Sequence, residues 1–415
     1  MRRAVLFALA GVACAPGAPT VPKAEGPRVD WSGADRLLDS AIAARAAPGA
    51  VLGVSWRGVR HVRAAGALGS GAGQRPDART IYDLASLTKV VGLTTAVMLA
   101  VQEGLLELDA PVQHCVPEFS GDGKSAVTVR HLLTHSSGLR AWRPLFQETN
   151  SRSAAFALAD TTPLDTVPGT RMVYSDIGAI VLTQCVEHIY RTRLDSLLAL
   201  RVFSSLGLAD TRYLPPPSWR ERIAPTENDP WRGRVLRGEV HDENALRLDG
   251  VSGHAGLFSS TRDLLTFGEG MLNAWNHGEG GTGNGEQGTV NGERKPGAQH
   301  ESPVPCSPVP CSPFPVFGSL VRDFTRRQNV VAGSSRALGW DTPSGPSSAG
   351  TRLSPESFGH TGFTGTSIWI DPQRQLVIVL LSNRVHPTRD NPRWGAVRGL
   401  VADQVALAVD SIVTR

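Results

Sequence analysis

The sequence predicts an α/β fold: an antiparallel sheet flanked by helices, with strands from both ends of the chain and a mostly helical lobe between them. Three observations point there. Strand-like runs lie near the N-terminus ("PGAVLGVSWRGVRHVRAAGAL") and again in the last 60 residues ("SFGHTGFTGTSIWIDPQRQLVIVLLSNR"). The stretch between them carries helical periodicity and loops. With 415 residues, 41% of them hydrophobic, the chain can bury a large core.

The elements follow in order. "MRRAVLFALAGVACAPGAP" pairs Arg2 and Arg3 with a short apolar run, Ala4 to Ala13, and then small residues. That is the grammar of an export signal over residues 1–15, too short to span a bilayer. Cys14 stands where a lipid-bearing cysteine would stand, although Gly11 is a poor match to the leucine usual three residues earlier. Residues 16–30, rich in Pro, Gly and Ala, read as a tether, and 31–412 as the folded domain. Leu37, Leu38, Ile42 and Ala46 mark an amphipathic helix over 31–46. Two strands then turn at Arg57-Gly58. Ser86 to Gly104 reads as a helix with Val90, Leu93, Val97 and Val101 on its buried stripe. "TVRHLLTHSSGL" (128–139) starts β-like and becomes helical, and "YSDIGAIVLTQCVEHIY" (174–190) is a second apolar helix. Residues 255–259 suggest a strand, and Thr261 the cap of a helix of about a dozen residues. "DPQR" (371–374) makes a hairpin turn, and a last helix covers 393–413.

Residues 276–316 stand apart, Gly-rich and then repeating a Pro unit, "SPVPCSPVPCSPFP". Such a segment buries too little apolar surface to offset chain entropy, so it reads as a disordered insertion. Of the five cysteines, Cys115 and Cys185 read as buried small hydrophobes, and Cys306 and Cys311 fall in the insertion. Without CxxC or histidines at ligand spacing, no metal site is expected. His131 and His135 share the i, i+4 spacing of metal ligands but have no HExxH around them and read as structural. Net charge is +4 with no basic block, which gives no argument for nucleic acid.

The chemistry starts at "YDLASLTKVVG" (82–92). Ser86 and Lys89 at i and i+3 share a helix face, so the amine reaches the hydroxyl. At a first helical turn, unpaired N–H groups favour negative charge on a substrate oxygen. A serine hydroxyl needs such a base to become a nucleophile. The S-x-x-K spacing alone is common by chance. Here it is followed in order by Tyr174-Ser175-Asp176 and by His360-Thr361-Gly362, each in its expected setting.

With these three motifs and "TVRHLLTHSSGL", the sequence resembles the class C β-lactamase and low-molecular-mass penicillin-binding protein superfamily, with its family VIII esterases. "RIAPTENDPWRGRVLRGEVHDENA", "GVSGHAGLFSS" and "SNRVHPTRDNP" resemble its subgroup that includes penicillin-binding protein 4B. The resemblance covers about 32–412 apart from the insertion, and implies a β-lactamase/transpeptidase-like fold. It implies Ser86 as the acylated nucleophile, Lys89 as its proton-shuttling partner and Tyr174 as general base. A free tyrosine titrates near pH 10 and neighbouring cations favour its phenolate. His360, Thr361 and Gly362 would form the substrate-binding strand edge, and the Phe363 N–H would complete an oxyanion hole with that of Ser86. Two departures matter. Asp176 replaces the usual asparagine and, if ionised, would hold Lys89 charged. Histidine at 360 is mostly neutral at pH 7, which weakens the case for tight binding of anions. His241, Asp242 and Glu243 either line the cleft or hold a loop, and His254 is in the same position. The nine tryptophans, Trp340 and Trp369 among them, read as mostly core.

The expectation is an exported serine hydrolase of the periplasm or cell envelope, without cofactor. It would act on a small-molecule or peptide substrate, peptidoglycan included. Peptidase- or esterase-like hydrolysis is favoured over more than weak β-lactamase activity. The alternative is a protein that binds penicillin or peptidoglycan with little turnover.

Overall fold

The computed structural model describes residues 29–69, 73–277, 314–316, 318–345 and 347–413. The proposed export signal, Cys14, most of the tether, and Cys306 and Cys311 lie outside the described residues. After helix α1 (Ser32–Ala43) come β1 (Gly49–Trp56) and β2 (Val59–Gly66), turning at Arg57 and Gly58, both at positive φ. Near the C-terminus, β5 (Phe358–Thr361), β6 (Ser367–Asp371) and β7 (Leu376–Ser382) follow one another before the last helix, α7 (Trp394–Val413). Together they form an antiparallel sheet in the order β2-β1-β7-β6-β5, with Ala50 opposite Ser382 and His360 opposite Ile368.

Both faces of this sheet are covered, which explains why β1 and β7 are buried along their whole length and nearly all apolar rather than alternating. The pleat sends Leu52, Val54, Leu376 and Ile378 toward α1 and α7, where they meet Leu38, Trp394 and Val401. Val51, Val377 and Val379 face the other way, against α6 (Thr261–His277) with Leu264, Leu265 and Phe267. Glycine at 53 lets that helix close on the sheet: a Cβ there would sit 2.4 Å from the Thr261 methyl.

The helical lobe follows β3 (Ile81–Asp83). The helix expected over 86–104 begins at Leu87, widens into π geometry over Lys89–Thr94 and continues as α2 (Thr95–Gln102). It is buried around its whole circumference rather than along one stripe, because it runs through the middle of the lobe. Beside it lie α3 (Val129–Leu133) and α4 (Asp176–Tyr190). The short α5 (Glu243–Arg247) precedes β4 (Leu257–Ser260), which pairs with β3. Thr261 is the first residue of α6 rather than its cap, and that helix runs 17 residues.

Two expectations change. Cys115 and Cys185 are joined in a disulfide that ties the turn after Val112–His114 to α4. Both pack in apolar surroundings, so residue type alone gave the reading of separate apolar fillers. The insertion is also narrower than 276–316. Asn276 and His277 belong to α6, and Phe314 and Val316 are buried, with Phe314 edge-on to Phe267. Residues 278–313 lie outside the described residues.

Candidate active site

Ser86 sits at the junction of sheet and lobe, and a buried carboxylate shapes the chain there. Asp83 accepts from the Ala85 N–H at 2.8 Å and from the His241 N–H at 2.7 Å. Ala85 adopts φ +46°, the left-handed region that a side chain seldom enters. This turn presents Ser86 to an open cavity of about 430 Å³ bounded by Tyr174, Arg336, His360, Phe363, Arg384 and Arg398, among others. A larger groove of about 630 Å³ lies elsewhere, against Asp195, Phe203 and Trp219, and contains none of the site residues.

Lys89 is 3% exposed, and its Nζ donates to Ser86 Oγ at 3.0 Å and to the His254 carbonyl at 3.0 Å. The Asp176 carboxylate approaches the same nitrogen at 2.7 Å, as an ion pair off the direction of an aligned hydrogen bond. Burial works against the lysine's charge, yet Asp176 and Tyr174 more than offset it. Lys89 therefore titrates above the ordinary lysine value. Asp176 is placed by its own backbone, whose N–H donates to the Ala141 carbonyl as Ser175 caps α4.

Tyr174 stands between cations. Lys89 Nζ lies 4.9 Å from its ring centroid and the Arg336 guanidinium 5.1 Å. The His135 ring packs 4.4 Å from it and His360 5.8 Å, centroid to centroid. Its hydroxyl is buried and makes no aligned hydrogen bond among the described residues, and Lys89 is the charged group it interacts with. His360 Nδ1 pairs with the Thr361 carbonyl, which makes Nδ1 the donor and leaves Nε2 as acceptor, 3.5 Å from Arg336. Burial first, then Arg336 and Lys89, push both His360 and His135 well below the usual imidazole value, so both are neutral.

On the opposite side, the turn after β5 is fastened to the strand before Ser86. Thr364 Oγ1 donates to the Asp83 carbonyl at 2.7 Å and Thr366 Oγ1 to the Leu84 carbonyl at 2.9 Å. Only glycine fits at 362, where a Cβ would lie 2.3 Å from the Leu84 oxygen. No acceptor among the described residues takes the backbone N–H of Ser86 or of Phe363. The Phe363 ring is half exposed, between His241 (centroids 5.8 Å apart) and the Arg384 guanidinium (4.5 Å from its centroid).

All eight residues singled out from the sequence thus gather at one place. His131 does not; it caps α3 through Thr128. His135, read as structural, turns against Tyr174. Sequence reasoning missed Arg336, Arg384 and Arg398. Arg384 anchors the Phe363 carbonyl at 2.7 Å and Arg398 the Gly362 carbonyl at 2.6 Å. The Nε atoms of Arg336 and Arg398 are buried without an acceptor among the described residues. Burial, with Arg384 beside it, brings Arg398 down to about 10. Arg384 lay inside a quoted motif, but nothing in the pattern of loop residue 336 or helix residue 398 advertised a site.

The Beta-lactamase family model matches residues 34–403, and the chain belongs to that family; it is a serine hydrolase. A protein of Salmonella agona (strain SL483), provisionally named a D-alanyl-D-alanine carboxypeptidase, is 32% identical over 347 residues, 76% of this chain and 72% of the relative. The octameric penicillin-binding protein homologue from Pyrococcus abyssi superposes with a TM-score of 0.66 at 18% identity, over 91% of this chain and 77% of that one. A β-lactamase from Sulfitobacter sp. EE-36 gives 0.66 at 20% identity, over 93% and 98%. At these identities the two structures bear on the fold alone, which is the β-lactamase/transpeptidase-like fold expected from the motifs.

Proposed function

We propose that the chain is an acyl-transferring serine hydrolase that cleaves D-alanyl peptides of the cell wall, with Ser86 as the residue acylated. Ser86 Oγ attacks the carbonyl carbon as its proton passes to Tyr174. The carbonyl oxygen takes up the electron pair and sits between the N–H groups of Ser86 and Phe363. The proton then leaves with the departing amine, giving an ester on Ser86. Water attacks that ester, the acid is released, and Ser86 regains its proton. Lys89, held as an ammonium by Asp176, serves as electrostatic support for the seryl oxygen, and Tyr174 acts as its phenolate, flanked by Lys89 and Arg336, taking the Ser86 proton to become the phenol and returning it to the departing amine.

The observation that carries this reading is the 3.0 Å Ser86–Lys89 contact opening onto a cavity walled by three arginines. Among the described residues, neither Arg384 nor Arg398 meets a carboxylate within 4.0 Å, and Arg336 meets only Asp341 at 3.8 Å. The fixed positive charge favours a substrate ending in a carboxylate, which neutral His360 alone would not. The provisional carboxypeptidase name of the Salmonella relative agrees with a D-alanyl terminus. The disulfide favours an oxidising compartment, hence the periplasm or cell envelope. A lipid on Cys14 would add an anchor. No helix among the described residues is long and apolar enough to cross a membrane.

The test compares wild type and Ser86→Ala with a peptide ending in D-alanyl-D-alanine, a p-nitrophenyl ester and a fluorescent penicillin. Wild type should release D-alanine with turnover, and the variant should neither turn over nor label. Stoichiometric labelling without release would replace this reading by covalent binding. Undiminished turnover by Ser86→Ala would remove Ser86 from the chemistry.

A further inference from the structure

We infer that His254 and Asp242 are positioning residues for Lys89, acting through the His254 carbonyl and through the charge behind it. The inference rests on the serine-hydrolase reading above and adds two residues to its machinery, neither of which bounds the cavity.

Lys89 Nζ meets three oxygens: Ser86 Oγ, the Asp176 carboxylate and the His254 carbonyl. Only the last comes from the main chain, 165 positions away. An ammonium held by two hydrogen bonds and an ion pair cannot rotate freely, so the direction of the N–H facing Ser86 Oγ depends on the other two contacts. The His254 carbonyl is therefore part of the aim of Lys89, and what fixes that carbonyl fixes the aim.

The segment around it is clamped at several points. The Gly253 N–H donates to Thr183 Oγ1 on α4 at 2.8 Å, and a Cβ at 253 would lie 2.6 Å from both Thr183 Oγ1 and the Leu93 side chain. The Leu257 N–H donates to the hydroxyl of Thr88, the residue before Lys89, at 3.1 Å. The His254 ring is 1% exposed, with both nitrogens engaged: Nδ1 with Ser252 Oγ and Nε2 with Asp242 Oδ1, each at 2.8 Å. A carboxylate only accepts, so Nε2 carries the proton. Asp242 Oδ1 also accepts from the Ala245 N–H at 2.8 Å, capping α5. A buried imidazole hydrogen-bonded at both ends is a costly arrangement for a ring whose sole task is to fill space.

The charge has a use as well. Burial opposes ionisation of Asp242, but His254, the Ala245 N–H and Lys89 outweigh it and hold the carboxyl well below its usual range. Lys89 is thus flanked by Asp176 directly and by Asp242 one imidazole away. The other titratable groups facing this pair are Asp83 and His241 beside Asp242, and Tyr174, His135 and His360 beside Lys89. Removing the negative charge of Asp242 favours the deprotonated form of each neighbour, so the whole pH–rate profile moves toward acid.

Asp242→Asn is the informative variant, because asparagine keeps the oxygen that accepts from Ala245 and His254 and loses only the charge. With p-nitrophenyl butyrate as probe, kcat is expected to fall about tenfold with KM within about twofold. Both limbs of the kcat/KM profile should move acidward by about one pH unit. His254→Gln, which keeps a donor toward Asp242, should retain more kcat than His254→Ala. A wild-type profile in Asp242→Asn, or a His254→Gln that retains no more kcat than His254→Ala, overturns the inference. Should His254→Ala fail to fold, Asp242→Asn and His254→Gln decide it alone. Labelling of Ser86 by fluorescent penicillin separates the two claims: a labelled enzyme with an unshifted Asp242→Asn profile overturns this inference and leaves the proposed function standing. Absence of turnover and labelling in wild type removes the proposed function itself.

Discussion

Replacing Cys115 and Cys185 together by alanine removes a covalent tie across 70 positions. Without it the unfolded chain regains the freedom of an open loop of that length. The chain-entropy relation gives a loss of about 4 kcal/mol at 25 °C for such a loop. That is a large share of the ~5–15 kcal/mol by which proteins are stable. With a urea m-value of about 3 kcal/mol/M, the midpoint should fall by about 1.3 M. The assay is urea unfolding followed by tryptophan fluorescence, paired with mass spectrometry after thiol alkylation in the absence of reductant. Activity at 25 °C should barely change. Cys185 lies about 14 Å along α4 from Asp176, and the helix start is held independently by the Ser175 cap and the Ala141 carbonyl. Alkylation of both thiols in untreated native protein would refute the pairing. A midpoint shift below about 0.3 M would refute the entropic account of it.

Two further outcomes follow from the site. His135 and His360 are buried neutral, whereas unfolded histidines take up protons below about pH 6.5. Their folded values are depressed, so the stability they contribute is present above that pH and lost on acidification, by about 2 kcal/mol per histidine between pH 7 and 5. His135→Gln should shrink the acid-induced shift of the urea midpoint; an undiminished shift would contradict this. Asp176→Asn removes the carboxylate that keeps Lys89 charged, so the alkaline limb of the pH–rate profile should move toward neutrality by about one unit. An unchanged profile would take that coupling out of the mechanism.

The residues legible in the sequence were those whose type and order form a pattern. Ser86, Lys89, Tyr174 and the His360-Thr361-Gly362 strand each sit at the start or edge of an element with a clear period, and the structure brings them together. Asp176 was legible for a further reason: a carboxylate in place of an amide has an electrostatic consequence for any amine it meets. Arg336, Arg384 and Arg398 were not legible, because arginines recur throughout the sequence and look alike until the chain folds.

 Arg336 stands 24 positions before the His360 that it faces, and no periodicity links the two. The disulfide was hidden differently. Cys185 lies within an apolar helical run and Cys115 beside Val116, so each fits its surroundings as a hydrophobe, and only their proximity in space reveals a bond. The π turn over Lys89–Thr94 left no mark either, since its residues would suit an ordinary helix.

The interior position of β1 has a consequence for how the molecule comes into being. Its partners are β2, which follows at once, and β7, whose register sets Ala50 against Ser382. A growing polypeptide can close the first hairpin early but must wait for nearly all its length before the other edge of β1 is satisfied. Until then an apolar strand border stays open to any neighbour, a state in which chains associate wrongly. Truncations that end before residue 376 should therefore aggregate rather than yield smaller working pieces, and a holding chaperone would have most to do in that interval.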